Sequence, residues 1–494
     1  MALCLPLATL LGYFLAEPYD SGGMSIVVMV LVVLAVPLLM QWHHPMLVLS
    51  WNLYMIPSFL PGQPSVLMIM VPVALVFALL NRSVSSHHRF ISIPSLTKPL
   101  IFLVVVVLVT AQLTGGIGLQ AFGGGQFGGK RYFYIFLAVA GYFALTSERI
   151  PPQRAGLYLA MFFLPTLASL ISNFVYLAGP GFYFLFNLFP ASLAEDQASG
   201  GSLTSQSIRR IGGLQVASGG FSSYLFARYG IRGILDSTKP LRVTLFLVVV
   251  LACLASGYRS TFILVGMTFA GMFYLEGLHR TRLLAVLLGL GVACGALLVP
   301  FADKLPWVVQ RTLAFLPIDV DPMVKQITES SSGWRVEIWK TVLPEVPKYF
   351  FKGKGYAVSP QDLQMAGNAR FQSDEGNAYG AILAGDYHSG PLSVVIPFGI
   401  FGVIAFVWFL SAALRVLYHN YRFGDPSLRR INACLLVTFA ARIVLFIFIF
   451  GSFYSDIFIF AGLAGLGVSL NGRPEPEVPQ EPIEDSLEAF ETLS

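Results

Sequence analysis

One histidine of this chain stands where a long apolar segment begins. His388 lies in "GDYHSGPLSVV" (385–395), among small and polar residues, and the chain turns apolar directly afterwards. Histidine exchanges its proton near neutral pH, so it can act as a general base in catalysis. A single histidine at the edge of an apolar helix is also commonly a polar cap without chemistry. The residue type alone leaves both interpretations open.

Two arginines upstream of His388 could bind an anion. Arg259 separates two apolar segments in "LASGYRSTFILVG", where arginine is commonly a snorkelling anchor. Arg335 precedes Trp339 by four residues in "SSGWRVEIWK" (331–340), so a helix would place both on one face. That helix could lie on a membrane surface with Trp339 at the interface. Alternatively, the two guanidinium groups could bind phosphate oxygens bidentately, with Trp339 stacking on a sugar.

The motifs of metal and nucleotide sites are missing from the sequence. It contains neither a P-loop nor HExxH, and "GGGQFGG" (123–129) follows a loop instead of the strand that a dinucleotide fingerprint requires. The "DVD" at Asp319–Asp321 could hold a metal, but it stands alone after "FLP", and we favour a loop. All four cysteines lie in apolar segments, which indicates neither a disulfide framework nor a thiolate metal site. We therefore expect no metal and no cofactor.

The composition predicts the elements that must position these residues. Of the 494 residues, 55% are hydrophobic and only 12% are charged, whereas a soluble domain carries about 25% charged residues. Runs such as "MSIVVMVLVVLAVPLLM" (24–40) are too apolar and too numerous for core helices of a soluble protein. We predict an all-α, polytopic helical membrane protein with 12–14 transmembrane helices. Residues 1–16 could be a signal peptide, but they lack a basic start, so we interpret them as the first span.

We interpret fourteen apolar segments as spans, although several are shorter than the roughly 20 residues that a full crossing needs and the polar, Gly-rich eighth is the weakest. They lie near residues 2–16, 24–41, 45–61, 65–80, 100–113, 131–147, 155–176, 215–235, 241–257, 261–277, 283–301, 391–414, 431–450 and 453–471. With all fourteen, the basic loops fall on one side, which the positive-inside rule assigns to the cytoplasm. These loops contain Arg82, Arg89 and Lys98; Arg149 and Arg154; Lys239 and Arg242; Arg280 and Arg282; and Arg422, Arg429 and Arg430.

The opposite side then holds the candidate site. It receives the Gly-rich segment 115–131, the polar segment 195–213 and one long loop, 302–390, with nine Lys or Arg and ten Asp or Glu residues. That balance of charges predicts a folded, partly helical extracytoplasmic loop. We accordingly divide the chain into an N-terminal transmembrane bundle of about eleven spans (1–301), the loop (302–390), C-terminal transmembrane helices (391–471) and an acidic, disordered cytoplasmic tail (472–494).

One charge falls inside a predicted span. Arg442, in "TFAARIVLFIF", lies in the thirteenth segment, and Asp456 lies near the start of the next. An ionisable group within a membrane is costly and indicates either a buried partner or a function. Pairing of Arg442 with Asp456 is the interpretation we favour over a role in substrate binding.

The order of these motifs resembles the O-antigen ligase and O-antigen polymerase superfamily. Its shared core has an arginine at a span boundary, an arginine–tryptophan helix, a Gly-x-Gly turn, a histidine and a Gly-rich span. Here these are "GYRS", "WRVEIW", "GKGY", "YHSG" and "FGIFG" (398–402). The segment 209–230 is similar to a further family motif and adds Arg210, although it lacks the proline and asparagine often found there. The resemblance covers about residues 200–410, and "HS" replaces the usual "HN".

The resemblance implies a membrane-embedded glycosyltransferase of the GT-C type. Such enzymes take a glycan from a polyprenyl-diphosphate donor, such as an undecaprenyl diphosphate, and pass it to a lipid or glycan acceptor in polysaccharide or lipopolysaccharide biosynthesis. They work on the extracytoplasmic face, need no metal and invert the anomeric centre. For this chain the resemblance implies the inner membrane, an active site facing the periplasm, and no nucleic-acid partner.

The resemblance also implies roles for individual residues. His388 would deprotonate or orient the acceptor hydroxyl, and Arg259 and Arg335 would bind the diphosphate. Arg210, Lys130 and Arg131 would add further phosphate contacts, and Trp339 would stack on a sugar. A ligase, a polymerase and a protein O-glycosyltransferase share these motifs, and we lean to a ligase because the loop that bears the histidine comes late. A lipid-linked glycan transporter is the alternative from another class, although we find no internal repeat. A scaffold of an export complex is a third.

Overall fold

The computed structural model describes residues 21–60, 62–84, 90–116, 128–194, 210–358 and 385–472, together with residues 361, 364 and 382. The predicted first span (2–16) and the acidic tail after Gly472 lie outside the described residues, as do most of the Gly-rich segment 115–131 and most of the polar segment 195–213.

The described part of the chain is built from helices joined by short turns. In chain order they are α1 (Ser21–Ser50), α2 (Val66–Val84), α3 (Pro94–Thr114), α4 (Gly129–Leu145), α5 (Ala155–Phe163), α6 (Ser169–Ala178), α7 (Gly212–Ile234), α8 (Pro240–Ala255), α9 (Arg259–Leu275), α10 (Arg282–Leu298), α11 (Trp307–Leu313), α12 (Pro322–Val342), α13 (Val346–Tyr349), α14 (Gly390–Phe423), α15 (Arg429–Phe448) and α16 (Phe453–Asn471). No β-strand occurs among these residues.

Seven helical segments of the described chain are long and apolar enough to cross a membrane, with mean hydropathies from 1.6 to 2.5. They are Val66–Ser83, Pro94–Thr114, Pro152–Ala178, Arg282–Lys304, Gly390–Phe423, Pro426–Phe448 and Phe453–Asn471. Two shorter apolar helices, Pro240–Ala255 and Arg259–Leu275, lie between them. The predicted class, an all-α polytopic membrane protein, is confirmed.

The centre of the bundle is formed by α16, which packs against α4, α14 and α15. A glycine of α16 also lets the Trp51 ring approach this helix, since a Cβ at Gly462 would overlap the indole nitrogen. That indole donates to the Phe458 carbonyl at 3.3 Å. Because lipid tails are as apolar as the side chains, such small-residue packing, and not the hydrophobic effect, holds membrane helices together.

The segment whose sequence looks weakest as a span forms a helix, α7, which is broken at Gly230. Its small residues fit tightly between neighbours, since Cβ atoms at Gly213 and Gly220 would overlap α6 and Thr166. At the break, where φ of Gly230 is +65°, the Glu276 carboxylate accepts the backbone N–H groups of Ile231 and Arg232 at 2.8 and 2.9 Å. A carboxylate suits the freed N–H groups at a restarting helix.

The predicted spans 24–41 and 45–61 differ most from the structure. One helix, α1, covers the first and ends at Ser50 within the second, and residues 51–60 are not helical. This irregular segment still runs along the bundle, because the Ile56 and Ser58 N–H groups donate to the Leu188 and Asn187 carbonyls. Irregular backbone at this depth is tolerated only where protein buries it or it lines a cavity. The prediction of a third complete helix is therefore wrong.

The two ends of the bundle can be distinguished by their residues. The site end is where α7, α9, α14 and α16 begin and α8 and α15 finish; the far end is where α4 and α16 finish. Basic residues of the short loops lie at the far end, where Arg149 lies beside Gly472 and Arg430 donates to the Tyr229 carbonyl. This distribution agrees with the single basic side that the sequence predicts.

The loop between α10 and α14 folds partly into helices, as predicted. Asp321 begins α12, where its carboxylate accepts the Met323 N–H at 2.9 Å, and the Gln310 side chain accepts the Asp321 N–H at 2.8 Å. The "DVD" segment thus serves as a helix cap. The second half of α12 packs on the chain around His388 in a small apolar cluster of Ile338, Val342, Tyr387, Leu392 and Ile396.

Candidate functional site

His388 is held in a backbone conformation that few residues adopt. Its φ is +47°, in the left-handed region where a residue with a Cβ is strained by about 1–3 kcal/mol. The Trp339 indole N–H donates to the carbonyl of the preceding Tyr387 at 3.0 Å. The rings of Trp334 and Phe450 lie 4.7 and 5.3 Å from the imidazole, centre to centre. These contacts hold the imidazole in one orientation and leave the side chain 20% exposed.

Asp386 is the charged partner of His388, and it is a residue that we did not single out from the sequence. Its Oδ2 lies 3.6 Å from the His388 Nε2. Burial lowers the pKa of His388 below its ordinary value of 6.5; Asp386 opposes this shift, whereas the positive charges of Arg335 and Arg210 add to it. The imidazole is therefore neutral at neutral pH and free to accept a proton. The signal was available, because Asp386 is the carboxylate nearest to His388 in the sequence.

Arg210 and Arg259 lie together at the turn between α8 and α9. The Ile211 N–H donates to the Ser256 carbonyl at 3.0 Å, and the Arg210 side chain packs against Gly257. The Arg210 guanidinium lies 5.1 Å from the centre of the Tyr258 ring, and its buried Nε has no hydrogen-bond partner. Arg259 is the first residue of α9. Gly257, with φ of +76°, makes room for this approach.

Arg335 joins these two arginines from α12. Its guanidinium lies 5.8 Å from the centre of the Phe450 ring, the same ring that contacts His388. Burial lowers the pKa of Arg335, the positive charges of Arg210 and Arg259 lower it further, and Asp386 opposes them. Three cations from distant parts of the sequence thus share one region, and among the described carboxylates Asp386 is the one that acts on both Arg335 and His388. This excess of positive charge is suited to a ligand with several negative charges.

Lys130 and Arg131 are adjacent in sequence but are placed differently. Lys130 is exposed and donates to the Gly62 carbonyl at 3.2 Å. The Arg131 guanidinium lies between the rings of Tyr356 and Tyr454, at 5.4 and 4.9 Å from their centres. Its Nη1 lies against Gly385, so Arg131 supports the turn that leads into His388.

Trp339 is engaged in holding the chain beside His388. Its N–H group is used on Tyr387, and its ring packs on the apolar cluster of α12. Trp334, five residues earlier, is the tryptophan that lies against the imidazole, and its buried indole nitrogen has no hydrogen-bond partner. Trp334 and Phe450 are thus aromatic neighbours of the site that the sequence did not indicate.

The Gly-x-Gly turn and the Gly-rich span, two motifs far apart in sequence, contact each other. The helix α14 is broken at Gly399, where φ is +61°. The break leaves two carbonyls of α14 without a helical partner. The Ile396 carbonyl accepts the Lys354 N–H at 2.8 Å, and the Pro397 carbonyl accepts the Gly355 N–H at 3.0 Å. This pairing fixes the Gly-x-Gly turn against the first turns of α14, the helix that directly follows His388.

Replacing Gly353 by alanine should destabilise this junction. A Cβ there would lie 2.3 Å from the Pro397 carbonyl oxygen, and φ of Gly353 is +74°. We expect a loss of at least about 1–3 kcal/mol of stability, seen as a lower melting temperature of the detergent-solubilised protein. Gly333→Ala, at a helical site with no heavy atom within 4 Å, is the matched control. Equal melting temperatures for the two variants would contradict the close packing of Gly353 against the Pro397 carbonyl.

Comparison with known families agrees with the geometry. Residues 244–407 match the sequence model of the family described as O-Antigen ligase. The match includes Arg259, Arg335 and His388, whereas Lys130, Arg131 and Arg210 precede it. No curated protein matches the chain. A match to this family on a multi-pass membrane protein implies lipid-linked glycan substrates and glycosyltransferase-like activity. Residues 244–407 are thus similar to the O-antigen ligase family, and the superfamily resemblance seen in the sequence is confirmed.

Proposed function

We propose that the chain is an inverting, metal-independent glycosyltransferase that moves a glycan from a polyprenyl-diphosphate donor to a hydroxyl of a lipid or glycan acceptor. The reaction takes place on the extracytoplasmic, periplasmic side of the inner membrane. The observation that carries this proposal is the convergence of three arginines with a neutral, aspartate-paired histidine. A diphosphate leaving group needs fixed positive charges such as the arginines, and an acceptor hydroxyl needs a base such as the histidine.

The arginines act on the donor. As the bond between the anomeric carbon and the diphosphate oxygen breaks, that oxygen takes the electron pair, and negative charge grows on the diphosphate. Arg259 and Arg335 bind this charge, and Arg210 adds to the field at the turn between α8 and α9. Fixed cations in a partly dry site stabilise developing charge without having to reorganise. Their mutual repulsion in the free protein makes them stronger partners for the diphosphate.

His388 acts on the acceptor. The acceptor oxygen attacks the anomeric carbon while its proton passes to the imidazole. Asp386 lies beside Nε2 and stabilises the imidazolium that forms. This leaves Nδ1, which is buried and has no hydrogen-bond partner, as the nitrogen that accepts the proton once the bound acceptor oxygen lies against it. The single displacement inverts the anomeric centre, and the imidazolium later returns its proton to water or to the departing diphosphate.

Analysis of lipid-linked glycans in a deletion strain tests the proposed function. A ligase predicts that donor lipid carrying finished glycan accumulates on the outer face of the inner membrane. A polymerase of the same superfamily predicts single repeat units there, and a transporter predicts donor on the inner face. We favour the ligase because the matched family bears that description. Normal glycan on the acceptor in the deletion strain would overturn every form of the proposal.

The acid limb of the pH profile should move in opposite directions in two variants. Asp386 raises the pKa of His388 and Arg210 lowers it. Asp386→Asn should therefore shift the fall in kcat/KM to lower pH, and Arg210→Gln should shift it to higher pH. The measurement is the transfer rate of purified protein between about pH 5 and 8, the range in which histidine titrates. An acid limb that stays at one pH in both variants would show that it does not belong to His388.

A further inference from the structure

A cavity of about 240 Å³ lies inside the bundle at its site end. Its wall includes Ser260, which follows Arg259, and Phe450, whose ring contacts both His388 and Arg335. The volume is that of about eight water molecules at about 30 Å³ each. The cavity therefore adjoins the arginine–histidine site and is large enough for one sugar ring.

Polar groups enter this cavity from several elements. Asn52 and Tyr54 come from the irregular segment after α1, Gln215 from α7, Arg442 from α15 and Asp456 from α16. The irregular segment is where a complete helix was predicted, and it carries a polar side chain into the bundle at Asn52, whose amide donates to the Phe162 carbonyl at 2.8 Å. Irregular backbone that lines a cavity is typical of substrate sites in membrane proteins.

The two charges of the cavity do not neutralise each other by direct contact. Among the ion pairs of the described chain, none joins Arg442 to Asp456, so the direct pairing that we favoured from the sequence is not formed. The buried Arg442 Nε has no hydrogen-bond partner. One Asp456 oxygen, Oδ2, accepts the Ser452 N–H at 2.8 Å. Arg442 and Asp456 still attract each other, but a buried N–H group without an acceptor in a membrane helix is costly unless a ligand completes it.

The mixture of groups selects the class of ligand. Arginine donates, aspartate accepts, and the amides of Asn52 and Gln215 do both, which fits neighbouring hydroxyls of a sugar. The rings of Trp51 and Tyr54 supply apolar faces of the kind on which sugars pack. A further phosphate would be repelled by Asp456, and a polyprenyl chain would offer no hydrogen-bond acceptor to the Arg442 Nε–H. We propose that this cavity binds an uncharged, hydroxyl-rich sugar ring next to the reacting centre.

The proposal rests on the proposed function and adds a subsite to it. The ring belongs either to the glycan of the donor or to the terminal sugar of the acceptor, since both carry the same chemistry. Two binding arms separate these sources. One compares undecaprenyl diphosphate with undecaprenyl diphosphate-linked N-acetylglucosamine, and the other measures the KM for acceptor glycolipid purified from a strain that lacks this protein.

Two helical glycines offer a matched pair of variants. Gly219 lines the cavity, and the nearest heavy atom to a Cβ there is the Thr261 methyl carbon at 3.7 Å, so Gly219→Leu should fill the cavity. Gly266 is exposed on α9 outside the cavity, with no heavy atom within 4 Å of a Cβ, so Gly266→Leu should fold and bind normally. Gln215→Leu, which removes hydrogen-bonding groups at similar volume, is a second variant in case the filled cavity changes the fold. Melting temperatures verify that each protein is intact.

We expect Gly219→Leu and Gln215→Leu to change one of the two measured values, donor affinity or acceptor KM, by about tenfold or more. That is the effect of losing one or two hydrogen bonds. A loss of affinity for the sugar-bearing lipid alone assigns the ring to the donor, and a raised acceptor KM alone assigns it to the acceptor. If both values are unchanged, the subsite is overturned. It is also overturned if the affinity for undecaprenyl diphosphate without a sugar falls as much as the affinity for the sugar-bearing lipid. Failure of the proposed function gives a different result, in which Arg259→Gln and Arg335→Gln leave the binding of undecaprenyl diphosphate intact.

Discussion

Replacing His388 by asparagine should reduce glycan transfer by about 10²- to 10⁴-fold, the usual contribution of a general base. Asparagine is the informative substitution because it tolerates positive φ better than most residues, and His388 has φ of +47°. The variant therefore removes the base while keeping the turn. His388→Ala should lose the same activity and some stability as well, since alanine has no such tolerance.

The measurement is the rate of transfer from undecaprenyl diphosphate-linked glycan to acceptor glycolipid by purified protein. Binding of the donor should change little in His388→Asn, because the imidazole is neutral and the arginines hold the diphosphate. Trp339→Phe is the matched control: it loses the indole hydrogen bond to Tyr387 but keeps the base, so its rate should fall much less. Transfer at the normal rate by His388→Asn would show that the histidine only caps α14.

Much of this site could be predicted from the sequence because its residues stand at the ends of apolar segments. A long apolar run has one place where it meets water, so Arg259 and His388 had to lie at a boundary. The basic loops mark one side of the membrane, and the span count places both residues on the opposite side. Arg210, Arg259, Arg335 and His388 accordingly meet in the structure, although 178 positions separate the first from the last.

Contacts between distant residues could not be predicted in this way. Nothing local shows that Arg131 turns towards Tyr356 and Tyr454 while its neighbour Lys130 donates to Gly62. The irregular segment after α1 has the same apolar composition as a helix, but its N–H groups are satisfied by carbonyls at positions 187 and 188. An apolar run indicates burial, and only tertiary hydrogen bonds decide whether it is helical.

The same limit explains Trp339 and Trp334. Both stand near Arg335, and spacing of four residues placed Trp339 on the face of the arginine. Both tryptophans pack on the apolar cluster around Tyr387, but Trp334 lies against the His388 ring, whereas Trp339 donates its N–H to the Tyr387 carbonyl. A periodic pattern identifies a face of a helix but not what covers it.

Replacing Arg335 by glutamine should have opposite effects on stability and on function. The pKa of Arg335 is lowered by burial and by the charges of Arg210 and Arg259, which means that the folded protein disfavours its positive charge. Removing that charge should raise the melting temperature of the protein without substrate. The variant should also lose donor affinity and transfer by about tenfold or more, because a bound diphosphate loses a charge-assisted partner.

Thermal melting with and without undecaprenyl diphosphate measures both effects at once. A ligand that binds only the folded protein raises its melting temperature, and at a given concentration a tighter ligand raises it more, so the order of the two proteins should reverse when the lipid is added. Arg335→Lys keeps the charge without the planar fork and should lie between them. Lys340→Gln removes an exposed charge of the same helix and should change neither value. If Arg335→Gln is less stable without lipid and is stabilised by it as much as the wild type, Arg335 is a structural anchor of α12, and the diphosphate is bound elsewhere.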